Sequence, residues 1–268
     1  MKKKFLITGA NGQLGKVFLD LLGNEADGID LPDVDITEIE SVKRAIDRTD
    51  PEWIINCSAV TDVDLCQRRP ELAFEVHRDG VGNLARTGRK LVTFSTDHVF
   101  NGRYDRVQPF LEGDTPYPAN IYGESKLQGE SEALGGSVDN IVIRTSWLFS
   151  ESMGMVPYFW RMLSENAMIT AVTDQVACLT YAPDLAGAVL KIIIDGRSGL
   201  FHLASSPGVT PFELATMLAE YVNGTIQETT WAQLDLDAPR PAYSVLATSR
   251  DLELPTVWDA VEKWRISK

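Results

Sequence analysis

Residues 3–15 read Lys-Lys-Phe-Leu-Ile-Thr-Gly-Ala-Asn-Gly-Gln-Leu-Gly. Lys3–Thr8 is a short apolar run, predicted as a strand. Val17, Phe18, Leu21 and Leu22 then recur at helical spacing. Between the two lies Gly9-x-x-Gly12-x-x-Gly15, a relative of the dinucleotide-binding fingerprint. Gly9 turns the chain out of the strand, Gly12 lets backbone approach a pyrophosphate, and Gly15 lets the helix pack on the sheet. The helix start offers unpaired N–H groups and partial positive charge to phosphates.

This unit opens a βαβ series. Ala26–Ile29 is a weak second strand. Thr37 and Glu40 form a predicted capping box for a helix over Ile39–Arg48. Trp53–Ala59 reads as a buried strand and Glu71–Arg89 as a long helix. Lys90–Thr96 is a strand, Tyr122–Leu134 a helix and Asn140–Trp147 a strand. The alternation implies an α/β, Rossmann-type doubly wound parallel sheet, with ligands at the carboxyl ends of its strands. Those ends are Thr8/Gly9, Ser58/Ala59, Ser95/Thr96 and Trp147. Ser58 and Ala59 therefore join the candidate cofactor residues.

The pattern loosens after Trp147. Helices are predicted at Pro157–Glu165, Pro183–Ile194 and Pro211–Val222, the last capped by Thr210, with strands at Ile169–Thr173 and Leu200–Ala204. Ala238–Ala242 is a Pro-rich loop. Residues 1–148 thus read as the dinucleotide-binding domain, with elements near 169–204 returning to it. Residues 149–268 read mainly as a small substrate-binding lobe.

Asp30 lies at the end of the second strand, near the place of a ribose-binding carboxylate. A carboxylate there favours NAD over NADP, because a 2′-phosphate would meet like charge. The segment 30–35 holds several acids, and which one faces the ribose stays open.

With 25 basic against 38 acidic residues, the formal charge is −13. That argues against a nucleic-acid partner, and it obliges any phosphate ligand to find local positive groups. No run of 18 apolar residues exists, so no membrane span is expected. Phe5-Leu6-Ile7 is too short for a signal-peptide core. Cys57, Cys66 and Cys178 lack metal-type spacing and suit a reducing cytoplasm. His77, His98 and His202 are scattered and read by default as structural.

Tyr122-Gly-Glu-Ser-Lys126 places a phenol and an ammonium four residues apart, on one face of a helix. Y-x-x-x-K is common by chance, but here it follows a nucleotide loop. A carbonyl reduction needs a hydride source, a proton donor and a group to hold the carbonyl oxygen. The dinucleotide supplies hydride. Tyr122, with an ordinary pKa of about 10, is protonated at neutral pH and can supply the proton. Lys126 would lower the phenol's pKa and hold the nicotinamide ribose. Thr96, at a strand end, offers a hydroxyl to the substrate oxygen.

These pieces together resemble the extended short-chain dehydrogenase/reductases, and within them the dTDP-4-dehydrorhamnose reductase family. The matching segments run nearly end to end: GANGQLG at 9–15, DVDIT at 33–37, NCSAVTDVD at 56–64, STDHVFNG at 95–102, YGESKLQGE at 122–130, RTSW at 144–147, DQVACLTYAPDLA at 174–186, GLFHLA at 199–204 and RPAYSVL at 240–246. The resemblance implies a catalytic trio of Thr96, Tyr122 and Lys126. It implies Gly9, Asn11, Gly12, Gln13, Leu14, Asp35, Ile36 and Ala59 around an NADPH or NADH, since the family uses either. It implies Thr61, Val63, Asp64 and Trp147 on the nucleotide sugar, with Arg240 as a candidate for its phosphates. Some relatives form metal-dependent dimers, so a homodimer and Mg²⁺ are open, although no closed metal cluster stands in the sequence.

Three departures stand out. His98 occupies a position where the family usually has Tyr, Gln67 one where Glu is frequent, and Ala177-Cys178-Leu179-Thr180 replaces Gly-x-Pro-Thr. The first two fall near the expected sugar pocket, which keeps His98 among the substrate candidates. An epimerase or dehydratase of the same superfamily, or a dinucleotide-binding regulatory subunit, are the competing readings. Asp97-His98 after Thr96, where dehydratases carry Asp-Glu, weighs against the dehydratase. The complete trio weighs against the regulatory subunit.

Overall fold

The computed structural model describes residues 4–100 and 106–268. Lys3 of the first expected strand and Asn101-Gly102 of the 95–102 motif lie outside the described residues. The chain opens with β1 (Phe5–Thr8), α1 (Gln13–Leu22), β2 (Ala26–Ile29), α2 (Ile39–Thr49) and β3 (Trp53–Asn56). Then come α3 (Val63–Arg68), α4 (Pro70–Phe74), a π-helical turn at Glu75–Gly80, α5 (Val81–Ala85), β4 (Lys90–Thr96), α6 (Ile121–Gly136) and β5 (Ile141–Thr145). The second half holds β6 (Leu148–Phe149), α7 (Met155–Ser164), β7 (Met168–Val172), β8 (Thr180–Tyr181), α8 (Ala182–Ile194) and β9 (Gly199–His202). It ends with α9 (Pro211–Ala219), β10 (Thr225–Thr229) and α10 (Val257–Ile266).

Six parallel strands form the central sheet in the order β2-β1-β3-β4-β5-β9. Side chains alternate across it, and both faces are covered. Phe5, Ile7, Phe94 and Ile143 pack with Phe18 of α1 and Leu185, Val189 and Ile192 of α8. Leu6, Ile54, Leu91 and Val142 face the other way, onto Val42 and Ile46 of α2, Leu84 of α5 and Ala133 of α6. The strand order reverses on either side of β1. The crevice at the carboxyl ends of β1 and β3 is therefore the topological switch point where such sheets bind ligands.

A second apolar cluster around Trp264 joins α7, α9 and α10 with Phe149 and Tyr181. Here β7 pairs with β10, and β6 with β8, in two small parallel sheets. Of the late elements expected to return to the main sheet, α8 and β9 do. The strand expected at 169–173 does not: its inward residues Ile169 and Ala171 belong to the lobe cluster, and its edge is taken by β10.

Other expectations are corrected by local chemistry. Thr37 and Glu40 form no capping box. The Thr37 hydroxyl and N–H both donate to Asp35 Oδ1, Glu40 takes Lys43, and α2 starts after Glu38 without a side-chain cap. The strand expected over Trp53–Ala59 ends at Asn56. There the Asn56 carboxamide accepts from Thr8 Oγ1 at 2.6 Å and Ser58 N–H at 3.2 Å, and donates to Thr93. The helix expected over Glu71–Arg89 runs without a gap from Pro70 to Ala85 as α4, the π turn and α5, and ends short of Arg89. Among the described residues no helix is long and apolar enough to cross a membrane.

Candidate active site

The loop after β1 holds the first part of the site. Gly9 sits at φ +64°, and a Cβ there would lie 2.7 Å from Cys57 backbone. A Cβ on Gly15 would lie 2.3 Å from Gly9 O, so α1 meets the turn as closely as the motif requires. No side chain caps α1 after Gly12, which leaves first-turn amides free for a ligand. Beside this turn lies a cavity of about 270 Å³. Of the candidate cofactor residues, Gly9, Gly12, Asp30, Asp35, Ile36, Ser58 and Ala59 line it. Leu31, Val34, Cys57, Val60 and Val76 complete the wall and were missed from sequence. The apolar character of Val34 and Val60, beside candidates already named, is the signal that could have found them.

Asp30 does more than border the cavity. Its two oxygens accept the N–H groups of Asn11 and Leu31, each at 2.8 Å, so it also ties the glycine loop to β2. Each oxygen keeps a second lone pair for a ligand. The Leu14 side chain is buried in the core, leaving only its amide to face the loop. Gln13 reaches across to the Met153 carbonyl at 3.2 Å.

The second part is the start of α6. Asn120 caps it by accepting from Gly123 N–H at 2.8 Å. The same carboxamide donates to His98 Nδ1 and to Pro239 O. Asn120 was also missed, although Asn before a helix is an N-cap signal. Gln67 accepts the N–H of Ile121 at 3.2 Å. A Glu carboxylate could accept the same bond, so this contact does not explain the departure. Ala177, Cys178 and Leu179 are fully buried, so that departure belongs to the core.

Tyr122 is half-buried, with the rings of His77 and His98 each edge-on to it at 5.6 Å. Burial pushes its phenol well above 10; Asp97 adds to this and a hydrogen bond with Thr96 opposes it. This corrects the expectation that Lys126 lowers the phenol: removal from water wins, and Lys126 is not among the causes. Thr96 Oγ1 accepts from His98 N–H at 3.1 Å and contacts Asp97 at 3.2 Å. Burial also keeps His98 below its ordinary value of 6.5.

Lys126 is 7% exposed and has no ion pair among the described residues. Burial draws its ammonium down from 10.5 to about 8, against the pull of Glu130, Cys66 and Cys57. Glu130 is engaged elsewhere, with Arg144 at 2.7 Å and with Ser95. Cys57, one of the groups that act on the Lys126 charge, lines the cavity. A buried, unpaired cation is costly unless a ligand completes it.

The candidate substrate residues divide. His98 joins Tyr122. Trp147 sits at φ +22°, a strained value for a non-glycine, just past β5. Thr61 is exposed, and Val63 opens α3. Asp64 and Arg240 meet each other, at 2.8 and 3.2 Å, instead of standing free. Burial raises the Asp64 carboxyl, but Arg240 and the Ala238 N–H outweigh it and hold it below its usual range. Among the described residues no group of three His, Cys, Asp or Glu is placed to hold a metal ion.

A glycine-turn cavity beside a helix bearing Tyr and Lys is the arrangement of a dinucleotide-dependent carbonyl reductase. The family described as RmlD substrate binding domain matches residues 3–266. The chain belongs to this family. It is 34% identical over 266 residues to the dTDP-4-dehydrorhamnose reductase of Mycolicibacterium smegmatis, covering 94% of this chain and 80% of the relative. A probable low-salt glycan biosynthesis reductase of Haloferax volcanii is 33% identical, covering 91% and 89%. The crystal structure of a dTDP-4-dehydrorhamnose reductase from Bacillus anthracis in complex with NADP superposes with a TM-score of 0.94, at 31% identity and with full coverage of both chains. The RmlD-type fold thus spans the whole molecule, lobe included.

Proposed function

We propose that this protein reduces the 4-keto group of a nucleotide-linked 6-deoxyhexulose, dTDP-4-dehydrorhamnose, to the corresponding alcohol, with NADPH or NADH as reductant. One observation carries the reading. The Tyr122 hydroxyl, hydrogen-bonded with Thr96, shares α6 with the unpaired Lys126 ammonium, and His77 links the Tyr122 ring to Val60 in the wall of the glycine-turn cavity. The relatives named as dTDP-4-dehydrorhamnose reductases and the neighbour holding NADP support the substrate and cofactor.

The cavity fits a dinucleotide. Its glycines leave room for a pyrophosphate, α1 presents free amides, and Asp30 and Asp35 stand where ribose hydroxyls need acceptors. Asn11, Gln13, Leu14, Gly15, Ile36, Ser58 and Ala59 complete that set. When bound, the reduced nicotinamide supplies a hydride to the ketone carbon. The chain's own residues handle the oxygen. Thr96 and Tyr122 hold it, and Tyr122 donates its proton as negative charge develops there. A high phenol pKa keeps Tyr122 protonated over the working range. An alkoxide, comparable in basicity to hydroxide whose conjugate water is near 15.7, still takes the proton downhill. Lys126 holds the nicotinamide ribose. Thr61, Val63, Asp64, His98, Trp147 and Arg240 line the nucleotide-sugar side, with residues 1–148 mainly serving cofactor and 149–268 mainly substrate. Three free cysteines suit a cytoplasmic location.

The test is a panel of 4-keto nucleotide sugars with NADPH or NADH, followed by loss of reduced-cofactor absorbance. Turnover with a dTDP-linked 4-keto-6-deoxyhexose is expected. Cofactor binding without oxidation by any member of the panel would favour the regulatory reading.

A further inference from the structure

His77 has both ring nitrogens engaged, by two different elements that border the site. Nε2 accepts the Val60 N–H at 2.9 Å, and Val60 lines the cofactor cavity. That fixes the tautomer: Nδ1 carries the proton and donates to Ser125 Oγ at 2.8 Å. Ser125 in turn donates to the Tyr122 carbonyl at 3.0 Å. The imidazole ring is edge-on to the Tyr122 ring. The residue is 1% exposed, and burial, then the Lys126 charge, draws it from 6.5 to about 2, so it stays neutral.

The backbone is shaped to the same end. His77 lies in the π turn, a feature frequent at functional sites. Its carbonyl presses so close to α6 that a Cβ on Gly129 would sit 2.1 Å away. A filler residue in this place would need neither nitrogen. An apolar side chain would pack as well, but it would leave the Val60 N–H without its imidazole acceptor and the Ser125 hydroxyl without its donor.

We infer that His77 is a positioning residue for the reduction, clamping the cofactor-cavity wall at Val60 to the turn of α6 that presents Tyr122. The inference rests on the reductase reading above. Hydride transfer depends steeply on the separation and angle of its two partners, and a misplacement of about 1 Å can lower a rate about 100-fold. The bridge holds that separation without touching either reactant.

The experiment compares wild type with His77→Leu, His77→Gln and Ser125→Ala, using NADPH and its analogue deuterated at the transferred position. His77→Leu should lower kcat about 10- to 100-fold while both KM values move less than about threefold. Its primary isotope effect on kcat should rise, because the hydride step becomes the slow one. His77→Gln, whose amide offers one acceptor and one donor, should return to within about threefold of wild type. Ser125→Ala should lower kcat in the same sense, and His77→Leu with Ser125→Ala should fall no further than His77→Leu, since both cut one bridge. If His77→Leu does not fold, Ser125→Ala decides. Unchanged kcat and isotope effect in the folded variants, with the wild type active, would overturn the inference. A wild type inert toward the panel would remove the reductase reading itself and the inference with it.

Discussion

The α6 face and the loop at 237–240 each bring a cation to the site, and the fold treats the two oppositely. Lys126 is buried without a carboxylate within ion-pair distance. Arg240 is met by both oxygens of Asp64, and its loop is further strapped down by Ala238 N–H to Asp64 and Asn120 to Pro239. The first cation has no counter-charge among the described residues. The second closes the lobe loop onto α3 and α6. An unpaired charge and a charge used as a fastener need different tests, even though both were read from sequence as ligand contacts.

The largest effect should come from Tyr122→Phe. It removes the proton donor while keeping the ring between the two histidines. Turnover should fall about 10³-fold, with the NADPH dissociation constant within about twofold of wild type. Wild-type turnover in this variant would end the claim that the α6 face does the chemistry. Next comes Lys126→Met. It should weaken NADPH binding about 10-fold and lower kcat as well, as measured by fluorescence titration and steady-state kinetics.

Lys126→Met also has a signature without ligand. In the folded protein the ammonium titrates near 8, against 10.5 when unfolded. Between those values the unfolded chain binds the extra proton, so wild-type stability rises with pH across roughly 8 to 10.5. Below that window the buried ammonium lowers stability by about 3 kcal/mol. Lys126→Met should therefore raise the stability of the free protein at neutral pH and flatten that rise, as denaturant titrations at several pH values would record. A variant less stable than wild type at pH 7 would mean that Lys126 is paired in solution.

Arg240→Met should act on the other region alone. The KM for the nucleotide sugar should rise about 10-fold, with NADPH affinity unchanged. A parallel loss of NADPH affinity would erase the distinction between the two cations. The smallest effect is expected for Asp237→Asn. Its pair with Arg68 is about half exposed on both sides, so stability and KM should stay within the noise of an exposed ion pair, below about 1 kcal/mol.

Much of this was legible because the decisive residues are close in sequence. The glycine turn and Tyr122–Lys126 are short motifs whose spacing fixes their geometry, and the sheet followed from short apolar runs alternating with helices. What sequence hid was pairing over distance. Asp64 and Arg240 are 176 residues apart, and His77 and Ser125 are 48 apart. Nothing local marks such partners. The phenol's pKa was misjudged for a related reason: spacing placed a cation nearby, but only the packed structure shows burial outweighing it. The capping box failed because Asp35, two residues upstream, competes for Thr37.

The central claim is that one face of α6 completes a dinucleotide site for ketone reduction. A crystal structure with NADP and a dTDP-linked sugar tests it most directly. The account predicts the Tyr122 hydroxyl within hydrogen-bond distance of the sugar's 4-oxygen and the Lys126 ammonium on the nicotinamide ribose. A Tyr122 hydroxyl turned away from the sugar, with Lys126 still touching neither ligand, would contradict it.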